Sequence, residues 1–339
     1  MHKAIFFEGT IDFTITPDGP ILIKAGETGG ADPTLPDMEF VRSREQIYIP
    51  GPSLKGVVRA QCERICRSLD GEQLQRTRQE YRRRLRDDEP VVPLADNPLG
   101  SGTRYKGLDD MDYSSGRAIE SMNLNEPDRT AVIYRRSSFV SQIFGHTSLA
   151  GRVRFADAYP EGELKVEQRN GVAIDRIYGS VAVGPFNYET VVGGTFRTTI
   201  SFKNLTLAQF ALLGLALRDL ADGRIAIGFG KSRGLGRVKV DFTALSLYYP
   251  TCTLSNGEVR LLSGRRVAAA NELVGLGALC ADEAYRAYAL PEEDRVPLPD
   301  GIAYTEDEFL GVRLNVKGNE AVRSLWRACM PAWRREIGL

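Results

Sequence analysis

The order in which strand-like and helix-like runs alternate is what most constrains this chain. Residues 4–16, AIFFEGTIDFTIT, alternate apolar and polar side chains over much of their length, as a half-buried strand does. A stretch with repeated Gly, Pro and Asp over 17–51 reads as a long loop. In 53–69, SLKGVVRAQCERICRSL, the residues Leu54, Val58, Cys62, Ile65 and Leu69 recur at helical spacing, which predicts a helix with Ser53 as its N-cap. Residues 139–158 are compactly apolar, and 164–201 hold short β-like runs. Asn170-Gly171 within them is a hairpin-turn signal. The clearest helix is 206–221, TLAQFALLGLALRDLA, with a short strand or turn at 224–230 and a strand at 238–248 beyond it.

Taken in order these runs are strand, helix, strands, helix, strand, the ferredoxin-like or RNA-recognition-motif order. The expected fold class is therefore α+β, with a palm over residues 1–250, a large insertion at 70–138 and a C-terminal extension over 251–339. Two helices are expected in the extension, near 265–288 and 318–336. No run of about 18 apolar residues suggests a membrane span. The N-terminus lacks the pattern of a signal peptide, so a cytoplasmic protein without a membrane partner is expected. The five cysteines are scattered along a long chain, which argues against a disulfide framework. Lys plus Arg equals Asp plus Glu at 44 each, without the basic surplus of a free-standing nucleic-acid binder. A nucleic-acid role therefore requires cations segregated onto one face, or neighbours in an assembly that share the phosphate load.

Chemistry concentrates in two phrases. In 228–238, GFGKSRGLGRV, Gly228, Gly230, Gly234 and Gly236 interleave with Lys231, Ser232, Arg233 and Arg237. Glycines permit close backbone approach and exposed N–H groups, and the cations match a phosphate. It is not a Walker A loop, because Ile225 stands where that motif needs glycine. It also precedes a strand, unlike a dinucleotide fingerprint. In 49–59, IPGPSLKGVVR, a turn runs straight into a helix N-terminus, a place that attracts anions. Ser53 caps that terminus, and Lys55 and Arg59 lie one turn apart, opposite the apolar stripe. An ordinary turn and a solvated helix face are the plain alternatives.

These two phrases, with FGHTSLAGRVRFADA at 144–158 between them, resemble the RAMP superfamily of CRISPR proteins over roughly residues 1–250. Within it they resemble backbone subunits of type III effector complexes. The resemblance implies an RNA-recognition-motif-like palm, and stacking along a guide RNA with copies of itself or related subunits. It implies a β-hairpin thumb that displaces one nucleotide at regular intervals. The thumb is expected at about 168–190, offering Ile174, Ile177, Tyr178, Phe186 and Tyr188 to bases. In relatives that cut paired target RNA, a loop aspartate precedes the helix phrase. Asp37 matches best by distance, with Asp32 next, and such a residue would hold Mg2+ or another divalent cation or position the attacking 2′-hydroxyl.

Other candidates compete. Asp109, Asp110 and Asp112 cluster in the insertion, where a metal or plain solvation fits them. Cys62 and Cys66 share a helix face with no nearby residue to complete a zinc set. His2 and His146 are the only histidines, which disfavours a two-histidine ribonuclease. The arginine-rich run 76–86 suits a phosphate backbone or a solvated helix. Four functions stay open: a target-cutting subunit, a non-catalytic guide-holding scaffold, a precursor-RNA processing endonuclease and a phosphate-ligand enzyme.

Overall fold

The computed structural model describes residues 3–25, 38–69, 71, 74, 92–106, 112–122 and 129–338. The first strand, β1 (Glu8–Pro17), buries Ile11, Phe13 and Ile15 on one face and leaves Thr10, Asp12, Thr14 and Thr16 partly exposed on the other. That period of two is the alternation of its sequence made physical. A short hairpin, β2 (Arg42–Ser43) and β3 (Gln46–Ile47), leads into helix α1 (Gly51–Leu69). Leu54, Val58, Cys62 and Cys66 point into the core, and Ile65 and Leu69 pack at its margin. The insertion contributes α2 (Ser115–Glu120) and α3 (Arg129–Arg136), followed by α4 (Phe139–Phe144), whose N-cap Ser138 accepts from Ser141 N.

Strands β4 (Val153–Phe155) and β5 (Tyr159–Pro160) follow, then a long hairpin of β6 (Lys165–Ile174) and β7 (Val181–Gly193). Next come β8 (Phe196–Lys203), α5 (Leu207–Ala221) and β9 (Val238–Tyr249). The palm sheet runs β9-β1-β8-β4 through its middle, with β5 also on β8. Every pairing in it is antiparallel, with Ile11 between Ile200 and Leu245. Counted by sequence, that is fourth, first, third, second, the ferredoxin-like order that the alternation predicts.

Helix α5 is buried almost all round because it lies beneath the sheet and meets α1 and the C-terminal helices on its other sides. Thr206 and Gln209 form a reciprocal capping box at its start. Past β9 the chain builds β10 (Cys252–Ser255), β11 (Glu258–Leu261), β12 (Arg266–Ala269) and β13 (Glu272–Val274). A single turn of helix, α6 (Leu276–Leu279), precedes β14 (Arg295–Pro297). Strands β15 (Tyr304–Glu306) and β16 (Val312–Lys317) then extend the palm sheet, with Leu314 opposite Leu247 on β9. Helices α7 (Asn319–Ala328) and α8 (Met330–Glu336) pack on α5, where Gly214 leaves room for the Trp326 indole. The segment after residue 250 is thus joined to the same sheet and core.

Three local expectations are corrected. The first helix begins at Gly51, so Ser53 lies inside its first turn and is not the N-cap. Asn170 and Gly171 sit within β6, opposite Asn187 and Phe186, and the chain reverses at 175–180. Gly171 is needed there because a Cβ would meet the Phe186 ring at 2.5 Å. Residues 224–230, expected as a short strand or turn, take the second alternative and hold no strand. The expected helix at 265–288 is instead two strands of separate sheets, a short helix and a 3-10 turn. Its glycines serve close approach, since a Cβ on Gly275 would strike the Asp294 carboxylate and one on Gly277 the Pro291 carbonyl. Among the described residues no helix is long and apolar enough to cross a membrane.

Candidate nucleic-acid interface

The glycine-rich loop hangs from the end of β1. Phe229 N donates to Leu22 O at 2.7 Å, and Gly236 N to Pro20 O at 2.9 Å. Between them Lys231–Arg233 make one 3-10 turn, entered by Gly230 at φ 71 and left by Gly234 at φ 81, left-handed values suited to glycine. Gly228 has a second duty, because a Cβ there would lie 2.2 Å from Leu22 O. The amides of Phe229, Arg233, Gly234, Leu235 and Gly236 all bond to carbonyls. Side-chain cations, more than a cradle of free N–H groups, therefore carry this loop's capacity for anions.

Those cations differ in their surroundings. Lys231 is exposed at its surface, yet desolvation, with the Arg64 guanidinium adding to it, holds its ammonium below the ordinary lysine value. Arg64 comes from α1 and had no place in the sequence-based site; its only signal was a basic residue on the solvent face of a helix already singled out. Arg233 lies over the Phe186 ring at 5.6 Å and the Phe229 ring at 6.0 Å, which ties the loop to the long hairpin. Arg237 is engaged elsewhere: it shares Asp18 with Lys239, at 3.1 and 3.0 Å. Ser232 is exposed between Lys231 and Arg233.

The start of α1 is already satisfied from within. Gly51 N donates to Asp157 Oδ1 at 2.7 Å, while Ser53 N and Leu54 N turn back to Pro50 O. Its anion is thus an internal carboxylate. Ile49 and Ala158 exchange two backbone bonds beside it. Gly51 packs so closely that a Cβ would lie 2.2 Å from Phe155 O. Arg59 pairs with Glu63 Oε1 at 2.9 Å and donates to Gly145 O at 3.0 Å. The phrase at 144–158 is therefore the mould against which the phrase at 49–59 is pressed. Lys55 is half-buried against Gly151, and burial first, then Arg59, lowers its pKa.

The hairpin of β6 and β7 stands away from the palm. Ile177 and Tyr178 are each 82% exposed at its tip, and Ile174 is exposed below them, so these apolar side chains are not core. The Asp175 carboxylate accepts from Ile177 N at 2.8 Å and shapes that tip. Lower down, Phe186 and Tyr188 are half-buried. At the root, Val191 exchanges two backbone bonds with Ile21, and Asn187 O accepts from Met38 N. Glu189 receives Arg42 at 2.5 Å and Phe40 N at 3.0 Å. Asp32 and Asp37 lie outside the described residues. The chain that carries them departs at Ala25, whose N–H bonds Glu39 O, and returns at Met38 against the hairpin root.

The remaining candidates divide cleanly. His2, Asp109, Asp110 and the run 76–86 also lie outside the described residues. Asp112 is held by Ser101, whose N–H and hydroxyl lower its pKa. Among the described residues no three His, Cys, Asp or Glu side chains gather as a metal set. Cys62 and Cys66 are buried free thiols. His146 is structural: Ser148 N donates to Nδ1, so the ring carries its proton on Nε2 and donates to Ser137 Oγ at 2.8 Å. Burial lowers its pKa, and both ring nitrogens are engaged, one by Ser148 N and the other by the fully buried Ser137.

A sequence model described as the RAMP superfamily matches residues 14–239, from within β1 to the second residue of β9. No curated protein matches the chain.

Proposed function

The chain belongs to the RAMP superfamily of CRISPR-associated proteins, and from that premise we propose that it is a guide-RNA-holding backbone subunit of a type III effector complex in the cytoplasm. The observation that carries this reading is a convergence at one end of the palm sheet. Lys231 and Arg233 on the glycine loop, Arg64 on α1 and the exposed hairpin all meet there. The cations suit a phosphate backbone. The hairpin's exposed Ile177 and Tyr178 suit contact with bases at displaced nucleotides. The assembly contains other subunits of the complex and copies of this chain, which accords with a chain of zero net charge.

The same proposal extends to cutting of the paired target RNA, with Asp37 as the leading residue and Asp32 as its alternate. This part rests on the place where their segment leaves and rejoins the hairpin root, and on the resemblance of the phrases around it. Mg2+ dependence belongs to it, with Asp37 as the expected ligand. The test is a complex assembled with guide RNA and given labelled complementary RNA, with and without Mg2+, for the wild type, Asp37→Ala and Asp32→Ala. Regularly spaced cuts that need Mg2+ and vanish in one variant, with binding retained, assign the nuclease and its residue. Tight guide binding with no cuts makes the chain a scaffold. Cutting of unpaired repeat RNA instead makes it a processing enzyme.

A further inference from the structure

On the open face of the palm, β1 and β8 present no aromatic side chain, and Tyr248 on β9 is already covered by the Arg313 guanidinium, 4.5 Å from its ring centroid. There β1 shows Thr10, Asp12, Thr14 and Thr16, and β8 shows Arg197, Thr199 and Ser201. Sheets that bind single-stranded RNA need aromatic rings on which bases stack. This sheet has its rings at the border instead. The bridge between Ile49 and Ala158, both fully buried, sets the register of two short extended segments. One step along, the alternation of strand side chains turns Tyr48 and Tyr159 outward, directly opposite each other. Their rings are stacked, 5.7 Å between centroids and 16° from parallel. Tyr159 is 43% exposed, although burying a tyrosine ring against apolar neighbours would favour folding.

The surroundings of the pair fit a nucleotide. On its other side Tyr159 faces Arg197 across the ladder with β8. Among the described residues Arg197 is paired with Glu161 alone, at 3.3 Å and with both side chains exposed, so this contact is worth little and yields readily to a phosphate. Arg154, exposed on β4 opposite Ser201, lies on the same face four β8 positions from Arg197. That is roughly 13 Å at about 3.3 Å per residue, within the reach of a short stretch of backbone. Residue 48 also follows the β2–β3 turn from Arg42, which binds Glu189 at the hairpin root. The tyrosine pair therefore borders the end of the sheet where the hairpin and the glycine loop meet.

We propose that the stacked Tyr48–Tyr159 pair, flanked by Arg197, is a platform for one unpaired RNA base. The inference rests on the RNA-binding reading and adds a subsite to it. The test uses the full chain and a single-stranded RNA 20-mer, titrated by fluorescence anisotropy at several salt concentrations. Tyr159→Leu is expected to weaken binding about 5- to 150-fold, the loss of one base stack, with the salt slope unchanged because no charge is lost. Tyr159→Phe keeps the ring and is expected to bind within about twofold of wild type. Tyr48→Leu, which removes the supporting ring, is expected to fall between them. Circular dichroism and the unfolding midpoint check that each variant folds. If Tyr159→Leu folds and binds as the wild type does, while Lys231→Ala binds more weakly, the platform is refuted and the RNA-binding reading stands. If the wild-type chain does not bind the RNA, both are overturned.

Discussion

Two glycines five residues apart on α1 give the sharpest test of how the fold is assembled. At Gly56 a Cβ would meet nothing within 4 Å, whereas at Gly51 it would lie 2.2 Å from Phe155 O and about 3.0 Å from the Ala156 carbonyl carbon. Both are backbone atoms, and the segment is fixed by the Ile49–Ala158 bonds and by Asp157 on Gly51 N. Gly56→Ala removes only the excess backbone freedom of the unfolded chain and should stabilise by about 0.4–1 kcal/mol. Gly51→Ala has the same small benefit but forces α1 away from its mould. Overpacking costs about 1–3 kcal/mol, and a displaced bond adds about 1 kcal/mol more. The two variants should thus move in opposite directions and differ by roughly 2–4 kcal/mol. Urea unfolding followed by circular dichroism measures this as a midpoint shift at unchanged slope. A Gly51→Ala protein as stable as the wild type would refute the docking of the two phrases.

Three further outcomes follow from the same geometry. Lys231→Ala and Arg233→Ala should each lower the slope of log affinity against log salt for RNA by about 1; an unchanged slope removes that residue from the phosphate path. Ser at Ile177 and Tyr178 together should leave the unfolding midpoint within about 0.5 kcal/mol, since both are exposed, while reducing the stability of the guide-bound complex; an equal fall in both measurements makes the tip structural. For pH, burial raises Asp294 from 3.8 to about 7, so its ionisation opposes folding increasingly as pH rises from about 4 to 7. Burial lowers His146 below 6.5, so its protonation opposes folding as pH falls below that value. The two slopes have opposite sign. Asp294→Asn removes the first, and its unfolding midpoint should gain more between pH 5 and pH 8 than the wild type's; an equal gain shows that Asp294 does not titrate as described.

The palm was legible in the sequence because its strands and helices follow the periods that burial on one face imposes. In β1 the alternation was visible because only one face is covered, and in α1 the apolar stripe was visible for the same reason. The failures share a cause as well. Asn170-Gly171 has the composition of a turn, but Gly171 answers to the Phe186 ring across the ladder, a contact no local pattern announces. Residues 265–288 are rich in alanine and leucine and look helical, yet Gly275 and Gly277 are fixed by Asp294 and Pro291 from elsewhere in the chain. In the site, the basic and glycine residues were visible by type. Their division into engaged and unengaged groups was not, because Asp18 for Arg237 and Gly145 for Arg59 are set by tertiary contact.

That division explains how a chain with no net charge can present a cationic surface. Much of the basic content is neutralised in place. Arg42 is matched by Glu189, Arg59 and Arg67 by Glu63, Arg218 and Arg224 by Asp219, and Arg237 and Lys239 by Asp18. Lys55, Arg64, Lys231 and Arg233, on α1 and the glycine loop, are among the described cations that have no carboxylate partner. Burial first, and then a neighbouring guanidinium, Arg64 for Lys231 and Arg59 for Lys55, lowers both lysines, and a phosphate arriving there would raise both back toward ordinary values. On the proposed reading, RNA bound at this end of the sheet would draw protons onto these two lysines at alkaline pH, and affinity there should fall less steeply with pH for Lys231→Arg, whose guanidinium stays charged.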